Sequence, residues 1–222
     1  MVLPLKRILI TAGPTREMLD PVRFLSNLST GEMGYTLARE ARRRGYRVTL
    51  ISGPTTLPVP RGVRFVSVVS ASQMQRACRR EFPRHDALVM TAAVCDFTAR
   101  SCRRQKIHRT QTKTFVLKQT PDIVAGLAKR KGKRVMIGFC LETQHWLQYA
   151  KDKLKRKNLD GMVANYYTKR HVPFGRRRIT TAFLDSRGGM LRRRHLTKKQ
   201  VAARLLGWLD RLARRRYEAA KK

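Results

Sequence analysis

The sequence predicts an α/β protein: a doubly wound, mainly parallel sheet that ends in a C-terminal hairpin and helix. Three observations carry this. Short β-branched apolar runs alternate with segments of helical spacing, glycine and proline mark the junctions between them, and the last third holds a hairpin signal followed by an apolar helix face.

Residues 7–12 (RILITA) form a β-branched run closed by Gly13-Pro14, which reads as a buried first strand. A long loop follows. From Gly31 the apolar residues Met33, Leu37, Ala38 and Ala41 recur at helical spacing, with Ser29 or Thr30 as cap and Gly45 as stop. Residues 47–51 form a second strand, and the β-loop-α-β unit requires a right-handed crossover. A strand at 63–69, a helix at 71–82 and an apolar run at 87–94 continue the alternation. Residues 113–118 are extended, and Thr120-Pro121-Asp122 places proline at the first position of a helix. A strand at 135–139, a basic helix at 144–157 and a strand at 161–165 come next. Strands 181–185 and 190–194 flank the Ser186 to Gly189 turn, and Val201, Leu205, Leu209 and Leu212 share one face of the last helix. The tail from Arg214 to Lys222 is expected to fray.

With 222 residues, 42% of them hydrophobic, the chain suits one domain spanning 1–222 on a Rossmann-like sheet. Cys78, Cys95, Cys102 and Cys140 have neither CxxC spacing nor clustered histidines, so they suggest neither a disulfide framework nor a zinc site, and a reducing compartment fits best. No signal-peptide core and no run of about 18 apolar residues occurs, so the expected location is cytoplasmic, without membrane association. Charge is the anomaly: 50 Lys and Arg stand against 14 Asp and Glu, a net +36. The excess is spread along the chain, for example at Arg42 to Arg44, Arg176 to Arg178 and Arg214 to Arg216. Diffuse charge of this kind describes a solvated surface, with nucleic acid bound only non-specifically.

Ligands of open α/β sheets sit at the carboxyl ends of the strands, which directs attention to the loops after Ala12 and Val94. Gly13, Ser29, Thr30, Gly31 and Gly34 offer a glycine-rich connection whose unpaired helix N–H groups can hold an anion. About seventeen residues separate the strand glycine from the helix, too many for a GxGxxG turn. Spacing alone favours a capped helix after an ordinary loop.

The loop itself is more specific. Thr11 to Gly34 reads TAGPTREMLDPVRFLSNLSTGEMG, and further matches follow at Ala92-Ala93-Val94-Cys95-Asp96-Phe97, Lys106-Ile107, Lys118 to Gly126 (KQTPDIVAG), Gly138-Phe139 with Glu142-Thr143, Arg156 to Asp160 (RKNLD) and Val163-Ala164-Asn165. In these segments, over nearly its full length, the chain resembles the bacterial phosphopantothenate–cysteine ligase family, here without the decarboxylase domain that many relatives carry. The resemblance implies that the carboxylate of 4′-phosphopantothenate attacks a nucleoside triphosphate, CTP or less often ATP, to give an acyl nucleotidylate and pyrophosphate. The amine of L-cysteine then displaces the nucleoside monophosphate. It further implies Mg²⁺, a homodimer, and a separate flavin-dependent decarboxylase.

By the same resemblance Asn27, Arg23 and Lys106 are catalytic: Asn27 grips the acyl intermediate through its amide, Arg23 belongs to the same loop, and Lys106 meets the triphosphate. Gly13, Ser29, Gly31, Met90, Thr91, Ala92, Asp96, Lys106, Pro121, Asp122, Ile123, Val124, Phe139, Lys153 and Lys157 would surround the nucleotide, and no metal ligands are assigned. Asp96 is placed at the carboxyl end of the fourth strand, with a salt-bridge partner as its plain alternative; Phe139 could be core; Asn27 could be an Asx-turn residue. Lys153 and Lys157 lie one turn apart on one helix face. The chain departs from the family pattern at Glu32, where a lysine is usual, at Cys140-Leu141 and at His108-Arg109. Two other readings compete. An NAD(P)-dependent reductase needs an acidic ribose reader after the second strand, where Ile51-Ser52-Gly53-Pro54 stands. A nucleic-acid-binding protein would use the basic surface directly.

Overall fold

In this computed structural model of the chain, residues 5–109 and 114–219 are described. In chain order the elements are β1 (Arg7–Ala12), β2 (Arg16–Met18), β3 (Phe24–Ser26), α1 (Glu32–Arg43), β4 (Arg47–Ser52), β5 (Arg64–Ser67), α2 (Ala71–Glu81) and β6 (Ala87–Met90). There follow β7 (Phe97–Ala99), β8 (Leu117–Gln119), α3 (Ile123–Ala128), β9 (Val135–Glu142), α4 (Trp146–Arg156), β10 (Gly161–Tyr166), β11 (Ile179–Asp185), β12 (Met190–Leu196) and α5 (Lys198–Ala219).

Eight strands make the main sheet, in the order β12-β11-β10-β9-β6-β1-β4-β5. The six from β10 to β5 are parallel and the last two pair antiparallel, as the hairpin signal predicted. Side chains of a strand alternate between faces, and the core divides accordingly. Ile8, Ile10, Leu50, Val89 and Ile137 pack with Leu37 and Ala38 of α1 and Leu205 and Leu209 of α5. Their neighbours Leu9, Ile51, Leu88 and Met136 pack on the other face with Met74 of α2, Leu127 of α3 and Leu154 of α4. Among the described residues no helix is long and apolar enough to cross a membrane.

Several boundaries differ from the sequence expectation, each for a local reason. The 87–94 run stops as a strand at Met90, because Ala92 N turns to the Thr11 hydroxyl (3.2 Å) and Ala93 bridges to Pro14 instead. The 63–69 strand shortens to β5, since Val69 N is taken by the Gln73 side chain (2.6 Å) in the capping box that opens α2. Proline is not the first residue of α3: Asp122 caps the helix, its carboxylate accepting from Ala125 N (3.0 Å), and Pro121 lies before the cap. Neither Ser29 nor Thr30 caps α1; that position is Gly31, left-handed at φ +80°. The basic helix is trimmed to α4, with His145 as a left-handed cap. Of the extended stretch 113–118, Lys113 lies outside the described residues and only Leu117 and Lys118 join a strand. The last helix continues to Ala219 rather than fraying from Arg214, and residues 220–222 lie outside the description.

Candidate functional site

The chain reverses its direction across the sheet between β1 and β6: β4 and β5 add to one side of β1, then β6 returns to the other. A cleft outside the carboxyl ends at such a reversal is the expected ligand position. Gly13 follows β1 here, and Gly31 opens α1 beside it; a Cβ on Gly31 would stand 2.7 Å from the Thr55 methyl and 3.4 Å from Gly13. Both glycines are buried with positive φ, so bare backbone approaches bare backbone where α1 presents its first amides. Ser29 accepts from Gly31 N at 3.3 Å, which shapes this entry without capping the helix.

From β6, Met90 ends the strand, Thr91 donates its hydroxyl to the Thr11 carbonyl, and Ala92 follows. The 91–96 turn is held to the loop after β1 by Ala93 N to Gly13 O (2.9 Å), Thr15 N to Ala93 O (3.2 Å) and Cys95 N to the Thr15 hydroxyl (2.9 Å). Asn27 joins the same junction. Its Nδ2 donates to Ala93 O (3.0 Å) and Val94 O (3.2 Å), so both amide hydrogens are engaged and Oδ1 is the end without a partner among the described residues. To donate to an oxyanion, as the resemblance implies, it must exchange one of these carbonyls. Neither an Asx turn nor a left-handed backbone is found at Asn27.

Asp20 and Arg23 explain how a distant loop is brought in. The fully buried Asp20 carboxylate accepts from Val22 N (2.9 Å), Arg23 N (2.8 Å) and Ile107 N (3.2 Å), and Arg23 Nη1 lies 3.6 Å away. Arg23 Nη2 in turn donates to Ile107 O at 2.6 Å, and Arg103 N to Leu19 O at 2.9 Å. Arg23 thus grips the segment carrying Lys106, whose exposed ammonium has no partner among the described residues. The sequence reading missed Asp20, although it lies in the quoted motif two residues before Val22. Burial alone would raise the Asp20 carboxyl pKa, but the amides of Val22, Ile107 and Arg23 and the Arg23 guanidinium hold it below its ordinary 3.8. A depressed carboxylate stabilises the folded arrangement above its unfolded pKa, and that contribution is lost as pH falls through the folded value. We therefore expect exchange protection of the Ile107 amide to be constant from pH 7 to 5 and to collapse only below 3.8. Loss of protection near pH 6 would refute this linkage.

The remaining predicted residues form a second group around α3, α4 and the end of β9. Lys157 pairs with Asp122 at 3.1 Å and Lys153 with Glu142 at 2.5 Å, so both lysines are already neutralised by acids. Ile123 and Val124 bury their side chains in the core, leaving only backbone to face a ligand, and Phe139 is a partly buried core residue. Exposed Asp96 lies six residues past the carboxyl end of β6, immediately before β7, and has no ion-pair partner among the described residues. Its carbonyl accepts from Thr120 N at 2.9 Å, and the Thr120 hydroxyl donates to Cys95 O; these bonds join the two groups. One further residue stands out: Asn165, near the end of β10, has a buried Oδ1 without a partner among the described residues, directly opposite Thr181, whose buried hydroxyl also lacks one among them. The Val163-Ala164-Asn165 motif was the signal for it. Among the described residues no group of three or more His, Cys, Asp or Glu could hold a metal ion.

The fold and its sequence have relatives. The chain is 44% identical over 172 residues to the coenzyme A biosynthesis bifunctional protein CoaBC of Bacillus subtilis, covering 77% of this chain and 42% of that protein. It is 44% identical over 163 residues to the Escherichia coli K12 CoaBC, covering 71% and 40%. The chain therefore spans about two fifths of the length of the curated relatives it matches. The crystal structure of the C-terminal domain of a CoaBC superposes with a TM-score of 0.81 at 35% identity, covering 95% of this chain and 98% of that one. A model of the DNA/pantothenate metabolism flavoprotein C-terminal domain matches residues 3–212, and the chain belongs to that family.

Proposed function

We propose that this domain is a ligase of coenzyme A biosynthesis that joins 4′-phosphopantothenate to L-cysteine, with CTP in preference to ATP. The observation that carries the reading is the meeting of Gly13, Gly31, Asn27 and the Thr91-Ala92 backbone where the sheet reverses, built from the very loop whose sequence resembles the ligases. Relatives named for coenzyme A biosynthesis support it.

In this reading the carboxylate of phosphopantothenate attacks the α-phosphorus of the nucleotide and pyrophosphate leaves. The cysteine amine then attacks the acyl carbon, loses a proton, and expels the nucleoside monophosphate. Charge builds on phosphoryl oxygens in the first step and on the acyl oxygen in the second, so fixed donors and cations are required at both. The α1 amides and Lys106 serve the triphosphate; Asn27 serves the acyl group. A magnesium ion would neutralise phosphate charge, and the exposed Asp96 carboxylate, without an ion-pair partner among the described residues, fits the usual arrangement of one or two protein carboxylates plus phosphate oxygens. Completion of the site by a second copy is supported by the exposed apolar Val22, Phe24 and Leu28, interleaved with Arg23 and Asn27. The basic surface leaves nucleic acid as a non-specific partner.

The deciding experiment is pyrophosphate release with CTP or ATP, each with and without phosphopantothenate. Release that depends on phosphopantothenate, faster with CTP, is expected. Release indifferent to phosphopantothenate would reject the ligase.

A further inference from the structure

The segment between β10 and β11 folds back on itself. Thr168 and His171 exchange backbone hydrogen bonds at 3.0 Å, and the His171 ring stacks on Tyr166 with centroids 4.4 Å apart. Its far end, residues 173–177, is fastened at two places. Gly175 N donates to the Thr30 hydroxyl (3.3 Å), immediately before Gly31 and α1. From the other side Lys198 Nζ, in the first turn of α5, donates to Pro173 O (2.9 Å) and Arg177 O (3.3 Å).

Lys198 is an unusual residue to spend on such a bond. It is only 8% exposed, and no carboxylate pairs with it among the described residues. Burial pushes its pKa down to about 8, and the opposing influence is the field of Glu32, the first residue of α1. A buried ammonium is costly unless its protons are bonded and its charge is answered. Here the bonds come from the carbonyls of Pro173 and Arg177, and Glu32 contributes only its field. Glu32 is itself held by the Thr36 hydroxyl (3.3 Å) and the Arg39 guanidinium (3.4 Å). The acid that departs from the family pattern therefore has a physical place in this chain.

We propose that Lys198 is a positioning residue that holds the 173–177 turn against Thr30 and so fixes one wall of the candidate nucleotide site. The purpose of the wall rests on the ligase reading; the fastening does not.

Hydrogen exchange of the full chain without ligand tests the fastening, with Lys198→Met and Thr30→Val as variants. Loss of one bond worth about 1.4 kcal/mol corresponds to about tenfold, so the Gly175 amide should exchange about that much faster in Thr30→Val and at least that much faster in Lys198→Met, which loses two bonds, with the amides of β9 and β10 unchanged. Lys198→Gln, which keeps a donor, should exchange more slowly than Lys198→Met. In pyrophosphate release, Lys198→Met should raise the nucleotide KM by about tenfold while kcat changes little. Unaltered exchange at Gly175, or an even rise through β9 and β10, would overturn the proposal, as would a fall in kcat at constant KM. If Lys198→Met does not fold, Thr30→Val decides by the same amide. A wild-type chain that releases no pyrophosphate defeats the ligase reading alone, since the exchange result still decides whether Lys198 fixes the turn.

Discussion

Lys106→Gln is expected to lower the phosphopantothenate-dependent release of pyrophosphate by about 10²- to 10³-fold, the usual consequence of removing one fixed electrostatic contact to a developing charge. The side chain is exposed and has no partner among the described residues, while its backbone neighbour Ile107 is held from both sides by Asp20 and Arg23. That arrangement keeps the segment in place but leaves the ammonium free for an anion. Glutamine retains donors and loses only the charge, so the defect should fall on the step in which pyrophosphate departs. Asn27→Asp is expected to behave differently. Rapid quenching should find the acyl nucleotidylate formed and then accumulating, because cysteine attack builds charge on an oxygen that a carboxylate repels. The same substitution turns an acceptor toward the carbonyls of Ala93 and Val94 in place of two donor contacts. If Asn27→Asp loses the first step as well, its contribution is to hold the 91–96 turn, and the assignment to the acyl group fails. Full activity in both variants would remove both roles.

The parts of this site differ in how visible they were in the sequence. Long apolar runs with a single period were legible: Ile8, Leu9 and Ile10 are all fully buried in β1, and the face of Val201, Leu205 and Leu209 packs α5 on the sheet. The β2–β3 pair was not, because three residues a side are too few to show a period and one of the strands is mostly exposed. The β7–β8 pair joins Phe97–Ala99 to Leu117–Gln119 across a long excursion, a pairing no local pattern specifies. The run to Val94 read as strand because composition does not register that Thr11 uses its hydroxyl and carbonyl to turn the chain after Met90. Site residues identified by motif were placed at one end of the sheet, but their partners were not foreseen. Lys153 and Lys157 read as lysines on one helix face that reach the nucleotide, and the acids Glu142 and Asp122 that pair with them were not part of that reading, because those pairs are set by strand register and helix phase together.

Gly53→Ala is expected to be the most damaging single-methyl change near the site. A Cβ at Gly53 would stand 1.8 Å from the carbonyl oxygen of Pro14 and 2.7 Å from its carbon, so the obstacle is backbone rather than a side chain that could swing away. Gly53 cannot retreat freely either, because its N donates to Ala12 O at 3.0 Å and its O accepts from the Ser52 hydroxyl at 2.7 Å. Overpacking typically costs about 1–3 kcal/mol and more where backbone must move, so the urea midpoint should fall clearly. Gly126→Ala is the control: it lies in α3 with nothing within 4 Å of its Cβ position, and a helical alanine there should stabilise by about 0.4–1 kcal/mol. The displacement at Gly53 does not end at Pro14. Pro14 bridges to Ala93, and Ala93 accepts from Asn27, so the methyl pushes on the three strand ends that carry the junction. Activity measured well below the unfolding transition should therefore drop further than the unfolded fraction accounts for. A Gly53→Ala chain with a wild-type midpoint and wild-type activity would mean that the β1 and β4 ends are not packed backbone to backbone, and that Asn27 is held by something other than this contact.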